Sequence, residues 1–375
     1  MWTFKLPTEI RFGNGAAGQL SELSSAFGCR KMVVTDRILA GLPQIQALIA
    51  GLGDVCVFTD VNPNPTVDNV DALGKLLIET GTEVIVAIGG GSAIDCAKAA
   101  ACLVKSGIAS IRPFHSEGKK FETGNGAIPL IAVPTTAGTG SEVTPFAVLD
   151  DTEKNFKGPI ACEMFYPKIA VIDPELTLSV PVKITATTAL DALSHAIEGY
   201  WSKNHQPICD LLALEAAKNI FANLENVLNN SGDKCGREAL AYAALLAGMA
   251  FQLPKNAIMH ACSFPLSNRF HLPHGAACAF TMEAAIRLNT PFMGGRMEKF
   301  AEYCGFDSIA KMIKQITRFK TLGGLPRTLA DAGIGKGDIE LLVQESFHPL
   351  MNNNPKPVTA KDLKNLYLGL ENGNE

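Results

Sequence analysis

Asp191 and His195 stand four residues apart in the run Leu190-Asp191-Ala192-Leu193-Ser194-His195-Ala196-Ile197-Glu198. On a helix that step is one turn, so both side chains leave the same face. Two further histidines lie downstream, His260 and His274, the second within Pro273-His274-Gly275. One carboxylate and three imidazoles could close a three-nitrogen, one-oxygen shell around a borderline divalent metal such as Fe(II) or Zn(II). A lone histidine on an apolar helix is more often a hydrogen-bonded core residue than a ligand, so the set carries the reading and no single member does. Of the seven histidines, His115, His205 and His348 have no comparable setting, while His271 sits three residues before His274.

A metal needs elements to hold it and a partner to act with, and the first ~180 residues supply the second. Short apolar runs alternate there with helical stretches, the pattern of βαβ units and a parallel sheet. Strands are expected at Lys31–Asp36, Val55–Phe58, Val84–Ile88 and Pro129–Val133, with helices over Ile38–Leu52 and from the Asn62-Pro63-Asn64-Pro65 turn to about Thr80. The third strand runs straight into Gly89-Gly90-Gly91-Ser92-Ala93-Ile94-Asp95 and a helix. Glycines allow close approach of a phosphate, and a helix N-terminus offers unpaired N–H groups and a positive dipole end, so a pyrophosphate would suit this loop. The spacing is neither GxGxxG nor GxxxxGK[ST], and a tight turn alone would also use three glycines. Asp36 could bind ribose hydroxyls and disfavour a 2′-phosphate, hence NAD over NADP; capping a helix is the plainer use of an aspartate there.

From about Ile184 alanine and leucine dominate, and helical periodicity holds to Asn226, over Arg237–Phe251 and over Met297–Arg318. We therefore expect an α/β dinucleotide-binding domain over residues 1–182 and an all-helical metal-binding domain over 183–375, divided where prolines bracket Asp173–Val182. Composition fits a chain able to bury a sizeable core: 375 residues, 47% hydrophobic, net charge −4. That charge balance supports neither nucleic-acid nor membrane-surface binding. No apolar run reaches the ~18 residues of a membrane span, no secretory pattern opens the chain, and ten scattered cysteines without a CxxC pair suit a reduced, cytoplasmic protein.

The motifs taken together are more specific than their parts. Leu6-Pro7-x-x-Ile10-x-Phe12-Gly13, Gly-Gly-Gly-Ser-x-x-Asp-x-x-Lys at 89–98, Pro134-Thr135-Thr136-Ala137-Gly138-Thr139-Gly140-Ser141-Glu142, Asp191-x-x-x-His195-x-x-Glu198 and Pro273-His274-Gly275 follow in one order. In this the chain resembles the iron-containing (group III) alcohol dehydrogenase family along its whole length. The resemblance implies a dehydroquinate-synthase-like fold, Fe(II) on Asp191, His195, His260 and His274 with Zn(II) an acceptable substitute, and a metal site facing the nicotinamide of NAD. It further implies cofactor contacts at Gly89, Gly90, Gly91, Ser92, Asp95, Thr135, Thr136, Thr139, Ser141 and Lys157, and a homo-oligomer, often a dimer. Such an enzyme moves a hydride between nicotinamide and a small alcohol or aldehyde whose oxygen the metal holds.

The same resemblance places Phe251 on the substrate pocket and leaves His271 for acid–base relay, while Phe264 stands where several relatives carry another histidine. Lys255 and Arg269 flank His260, where many alcohol-specific relatives have small neutral residues. With Tyr200-Trp201-Ser202 this segment is similar to the phosphonoacetaldehyde reductase branch, and an anionic aldehyde would give both cations a partner; solvated surface charges are the plainer alternative. Dehydroquinate-synthase-like cyclases need a densely cationic pocket and a different ligand set, and glycerol-dehydrogenase-like enzymes show fewer metal histidines. A non-catalytic relative would have lost a ligand or the glycine loop.

Overall fold

A computed structural model describes residues 1–122, 126–154 and 156–371. Two compact units emerge. One comprises Lys5–Thr136 and Ser141–Thr177; the other comprises Leu178–Glu375 with the short stretches Met1–Phe4 and Ala137–Gly140. The division thus falls near residue 178 rather than 183, and the loop carrying Thr139 joins the helical unit.

The first unit is built on a six-stranded, all-parallel sheet. Its strands are β1 (Glu9–Phe12), β2 (Lys31–Val34), β3 (Val55–Phe58), β4 (Val84–Gly89), β5 (Leu130–Pro134) and, after a two-stranded antiparallel ribbon of β6 (Phe146–Asp151) and β7 (Phe156–Ala161), β8 (Ile169–Ile172). The spatial order is β1-β8-β5-β4-β2-β3. The central strands β2, β4 and β5 are buried along their whole length, which is why they read as unbroken apolar runs. On one face Met32, Val34, Ile85 and Ala87 pack against Val70, Leu73, Ile94 and Ala97 of the Val67–Glu79 and Gly91–Ser106 helices. On the other, Val33, Val86 and Val133 meet Ala17, Leu20 and Ile45.

Four features differ from expectation. The helix expected over Ile38–Leu52 is two pieces, Arg37–Ala40 and Pro43–Gly51, because Pro43 has no N–H to continue the first and fits the first turn of the second. The edge strand β1 alternates exposed and half-buried residues and so lacks the apolar run that marked its neighbours. β8 and the β6–β7 ribbon are also additions to the expected set.

The second unit is helical. Val182–Trp201, Pro207–Asn229 and Lys234–Phe251 are its long helices, followed by Ile258–Phe270 and His274–Phe280. No helix among the described residues is long and apolar enough to cross a membrane.

Candidate metal centre

The Val182–Trp201 helix is buried from Ala189 to Trp201, so Asp191 and His195 are presented inside the helical unit. The His274–Phe280 helix packs directly on it, and Gly275 makes this possible. A Cβ at Gly275 would lie 2.3 Å from the Thr187 carbonyl oxygen and 2.8 Å from Asp191 Cβ, well inside van der Waals contact. The glycine of Pro-His-Gly therefore brings His274 to within 3.8 Å (Nε2) of Asp191 Oδ1. His260, near the start of Ile258–Phe270, brings Nε2 to 3.9 Å from the same oxygen.

Glu198 orients His260. One of its oxygens accepts from His260 Nδ1 at 2.6 Å and from the Ala257 N–H at 2.9 Å; the other accepts from the Met259 N–H at 2.6 Å. With Nδ1 committed as donor, the lone pair of Nε2 points into the centre. Burial opposes a charge on His260, but Cys278 and Glu198 raise its pKa well above the ordinary imidazole value in the metal-free protein. Burial likewise lifts Asp191 to about 6.

These residues fit a metal ion. Asp191 Oδ1, His260 Nε2 and His195 Nδ1 are all buried polar atoms without a hydrogen-bond partner, a costly arrangement unless another atom satisfies them. The four ligand atoms that lie within 4.8 Å of one another belong to Asp191, His260, His274 and Cys278. His195 stands beside them, its ring stacked on Phe251 at 4.1 Å and on His260 at 4.7 Å between centroids. Burial, then the charges of His260 and His274, hold its pKa well below the usual value. Phe251 is thus packed against the cluster.

The other cation expectations divide. Arg269 is committed to a two-pronged ion pair with Glu345, Nε to Oε2 at 2.6 Å and Nη2 to Oε1, so its charge is already matched. Lys255 occupies a left-handed turn (φ 70°), with its N–H bonded to the Phe251 carbonyl at 2.8 Å, and burial depresses its pKa. His271 is exposed and ends the Ile258–Phe270 helix in a left-handed conformation (φ 54°). Phe264 packs on His348 at 4.8 Å between ring centroids.

In the sheet unit the expected cofactor residues gather at the C-terminal edges of β2, β4 and β5. Chain order reverses between β2 and β4, the switch point at which open parallel sheets take ligands. Gly89 ends β4, where a Cβ would lie 2.7 Å from that of Ala93. Gly90 then begins the Gly91–Ser106 helix with no side-chain cap, leaving its N–H groups for an anion. Thr135 donates its N–H to the Gly89 carbonyl at 3.0 Å, and the Thr136 side chain stands beside Gly90. Ser92 Oγ accepts from the Asn64 N–H at 3.2 Å.

Three of the expected residues also make hydrogen bonds within the protein. Asp36 caps the Arg37–Ala40 helix, one oxygen accepting from Ile38 and Leu39 N–H at 2.9 Å each. Asp95 and Ser141 bond to each other, and Asp95 also accepts from Val148 N–H at 2.8 Å. That commitment ties the glycine-loop helix to the β6 strand. Lys98 reinforces it, donating to the Thr144 and Phe146 carbonyls at 2.9 and 2.8 Å. Lys157 lies on β7 opposite Asp150.

Comparison with known proteins decides the class. Residues 7–174 match the pattern of iron-containing alcohol dehydrogenases, and residues 185–370 match the C-terminal part of the Fe-containing alcohol dehydrogenase family. The chain belongs to the iron-containing alcohol dehydrogenase family. It is an oxidoreductase of alcohols and aldehydes. Among solved structures it is similar to the sulfoacetaldehyde reductase of Bifidobacterium kashiwanohense in complex with NAD+, at 41% identity and TM-score 0.94, covering 99% of this chain and 98% of that one. Among curated relatives, the 1-propanol dehydrogenase of Salmonella typhimurium is 32% identical, over 98% of this chain and 99% of its own. The NAD-dependent methanol dehydrogenase of Bacillus methanolicus is also 32% identical, over 97% and 98%.

Proposed function

We propose that this enzyme reduces a small aldehyde carrying an anionic group, with sulfoacetaldehyde and phosphonoacetaldehyde as the compounds to test first and NADH as reductant. Lys255 carries the reading. Its turn is tied by its own N–H to Phe251, whose ring lies on His195, and two residues later the backbone is tied to Glu198, which holds His260. A lysine ammonium held at this turn would meet an anionic substrate group through a charge-assisted hydrogen bond. The greater identity to a sulfoacetaldehyde reductase, 41% against 32% for the propanol and methanol dehydrogenases, supports the same class.

In this reading Asp191, His195, His260 and His274 hold a divalent ion, Fe(II) or Zn(II), which supplies Lewis-acid polarisation of the substrate oxygen. Glu198 keeps His260 in one tautomer. Phe251 covers His195 and excludes water from that side. His271, exposed at the C-terminal end of the Ile258–Phe270 helix, is left for acid–base relay. Asp36 at the end of β2 opposes a 2′-phosphate and so favours NADH over NADPH. Ten free cysteines suit a reducing, cytoplasmic compartment.

The test is steady-state reduction of sulfoacetaldehyde, phosphonoacetaldehyde and a neutral aldehyde of similar size, by metal-loaded wild type and Lys255→Ala. Loss of a charge-assisted contact worth ~1.5–3 kcal/mol corresponds to a roughly 10- to 100-fold rise in KM for the anionic aldehydes, with little change for the neutral one. A wild-type preference for the neutral aldehyde, or an equal effect of the substitution on both classes, would defeat the anionic reading.

A further inference from the structure

Two of the ten free cysteines meet inside the sheet unit. Cys102 is buried, one turn from the end of the Gly91–Ser106 helix that begins at the glycine loop. Cys162 follows the last residue of β7 and is half-buried. Its N–H donates to the Pro145 carbonyl at 3.0 Å, and its own carbonyl accepts from the Phe165 N–H at 3.0 Å, so the backbone holds it in place from both sides. Its side chain packs against the apolar cluster that contains Cys102, and the Cys102 thiol donates a hydrogen bond to the Cys162 sulfur. That bond makes the two sulfurs unequal. Donation from Cys102, against the opposing effect of burial and with the Met164 N–H in support, brings Cys162 down to about 7. The same bond, then burial, pushes Cys102 up.

We propose that Cys102 and Cys162 are a peroxide-responsive thiol pair, in which Cys162 is the reacting sulfur and Cys102 the resolving one. The Cys162 thiolate, which is the nucleophilic form of a cysteine, attacks one oxygen of hydrogen peroxide. The O–O bond breaks, hydroxide leaves and takes up a proton as water, and Cys162 becomes a sulfenic acid. The Cys102 sulfur then attacks the Cys162 sulfur, the S–O bond breaks, and a second water leaves with the Cys102 proton. Two thiols are oxidised to one disulfide and the peroxide is reduced to two waters. Because the resolving sulfur is already in place, oxidation stops before the irreversible sulfinic acid. The disulfide links the glycine-loop helix to the end of β7, and a dithiol reductant reverses it.

Mass spectrometry tests this without substrate. Zinc-loaded protein is used, since Fe(II) itself reacts with peroxide. Wild type, Cys102→Ala and Cys162→Ala are treated with hydrogen peroxide, freed of it with catalase, alkylated in denaturant and digested with trypsin without reductant. The tryptic peptides 99–105 and 158–168 each hold a single cysteine. In wild type, alkylation of both should be lost together and a peptide linking them should appear, and dithiothreitol before alkylation should restore both. In Cys102→Ala, dimedone should trap a sulfenic acid at Cys162, which goes on to sulfinic acid when dimedone is left out. Wild type in which both peptides stay alkylated while exposed Cys29, Cys56 and Cys235 are oxidised overturns the proposal, whether or not either variant folds. Sulfinic acid at Cys162 of wild type overturns the resolving role of Cys102. A sulfenic acid trapped at Cys102 in Cys162→Ala overturns the assignment of Cys162 as the reacting sulfur.

Discussion

Glu198 shows how one side chain can decide whether a metal site forms. Its two oxygens take hydrogen bonds from two backbone N–H groups and one imidazole, a demand that only a carboxylate meets. In Glu198→Gln the amide nitrogen must face one of those donors, leaving a buried donor unpaired at a cost of ~1–3 kcal/mol. It also releases the tautomer of His260. We expect a 10- to 100-fold loss of metal affinity, read by competition against a chelator, with the far-ultraviolet circular dichroism of the folded protein retained. The Asp-x-x-x-His-x-x-Glu spacing was visible in the sequence, but the function of its glutamate was not, because its partners lie about sixty residues downstream. Asp95 and Ser141, both expected as cofactor contacts, bond to each other, a pairing across 46 residues that no local pattern reveals.

At the scale of elements, most fully buried segments were readable and half-exposed ones were not; the short β8, buried throughout, is the exception. β2, β4 and β5 announce themselves as apolar runs because helices cover both faces, whereas β1 and the β6–β7 ribbon alternate along their length. Two predictions belong here. Gly275→Ala forces a methyl into the Thr187 carbonyl and Asp191 Cβ, so the His274–Phe280 helix must move away. Overpacking of this kind costs ~1–3 kcal/mol, and urea unfolding should show that loss together with weakened metal binding. The second concerns Lys98, which ties the glycine-loop helix to the ribbon. Burial, opposed by Asp95 and Glu142, depresses its pKa from 10.5 to about 8. Between those values the unfolded chain binds more protons than the folded one, so this group makes stability rise with pH. Lys98→Met lacks that dependence. The stability of wild type relative to the variant should therefore climb from pH 8 to 10, and a flat or falling difference would show that Lys98 is not depressed.

For the whole molecule, the consequence is that the metal ligands belong to one compact unit and the glycine-loop residues to the other. Asp191, His195, His260 and His274 all lie within Leu178–Glu375, and Gly89–Ser92 within Lys5–Thr136. A metal that binds only the folded chain stabilises it by ~2.7 kcal/mol at a concentration 100 times its dissociation constant. In a unit of roughly 200 residues, each kcal/mol moves the melting temperature by ~2–4 °C, so removal of metal should lower it by about 5–11 °C. NADH, if it binds through the glycine loop of the other unit as proposed, should add a further shift of similar size whether or not metal is present. Calorimetry with and without chelator, crossed with and without NADH, gives the four values required. Near-additive shifts mean the two ligands act on separate folding units. A NADH shift that vanishes on metal removal would mean that the metal-bearing helices help to form the nicotinamide site, and would make the two units one in energetic terms.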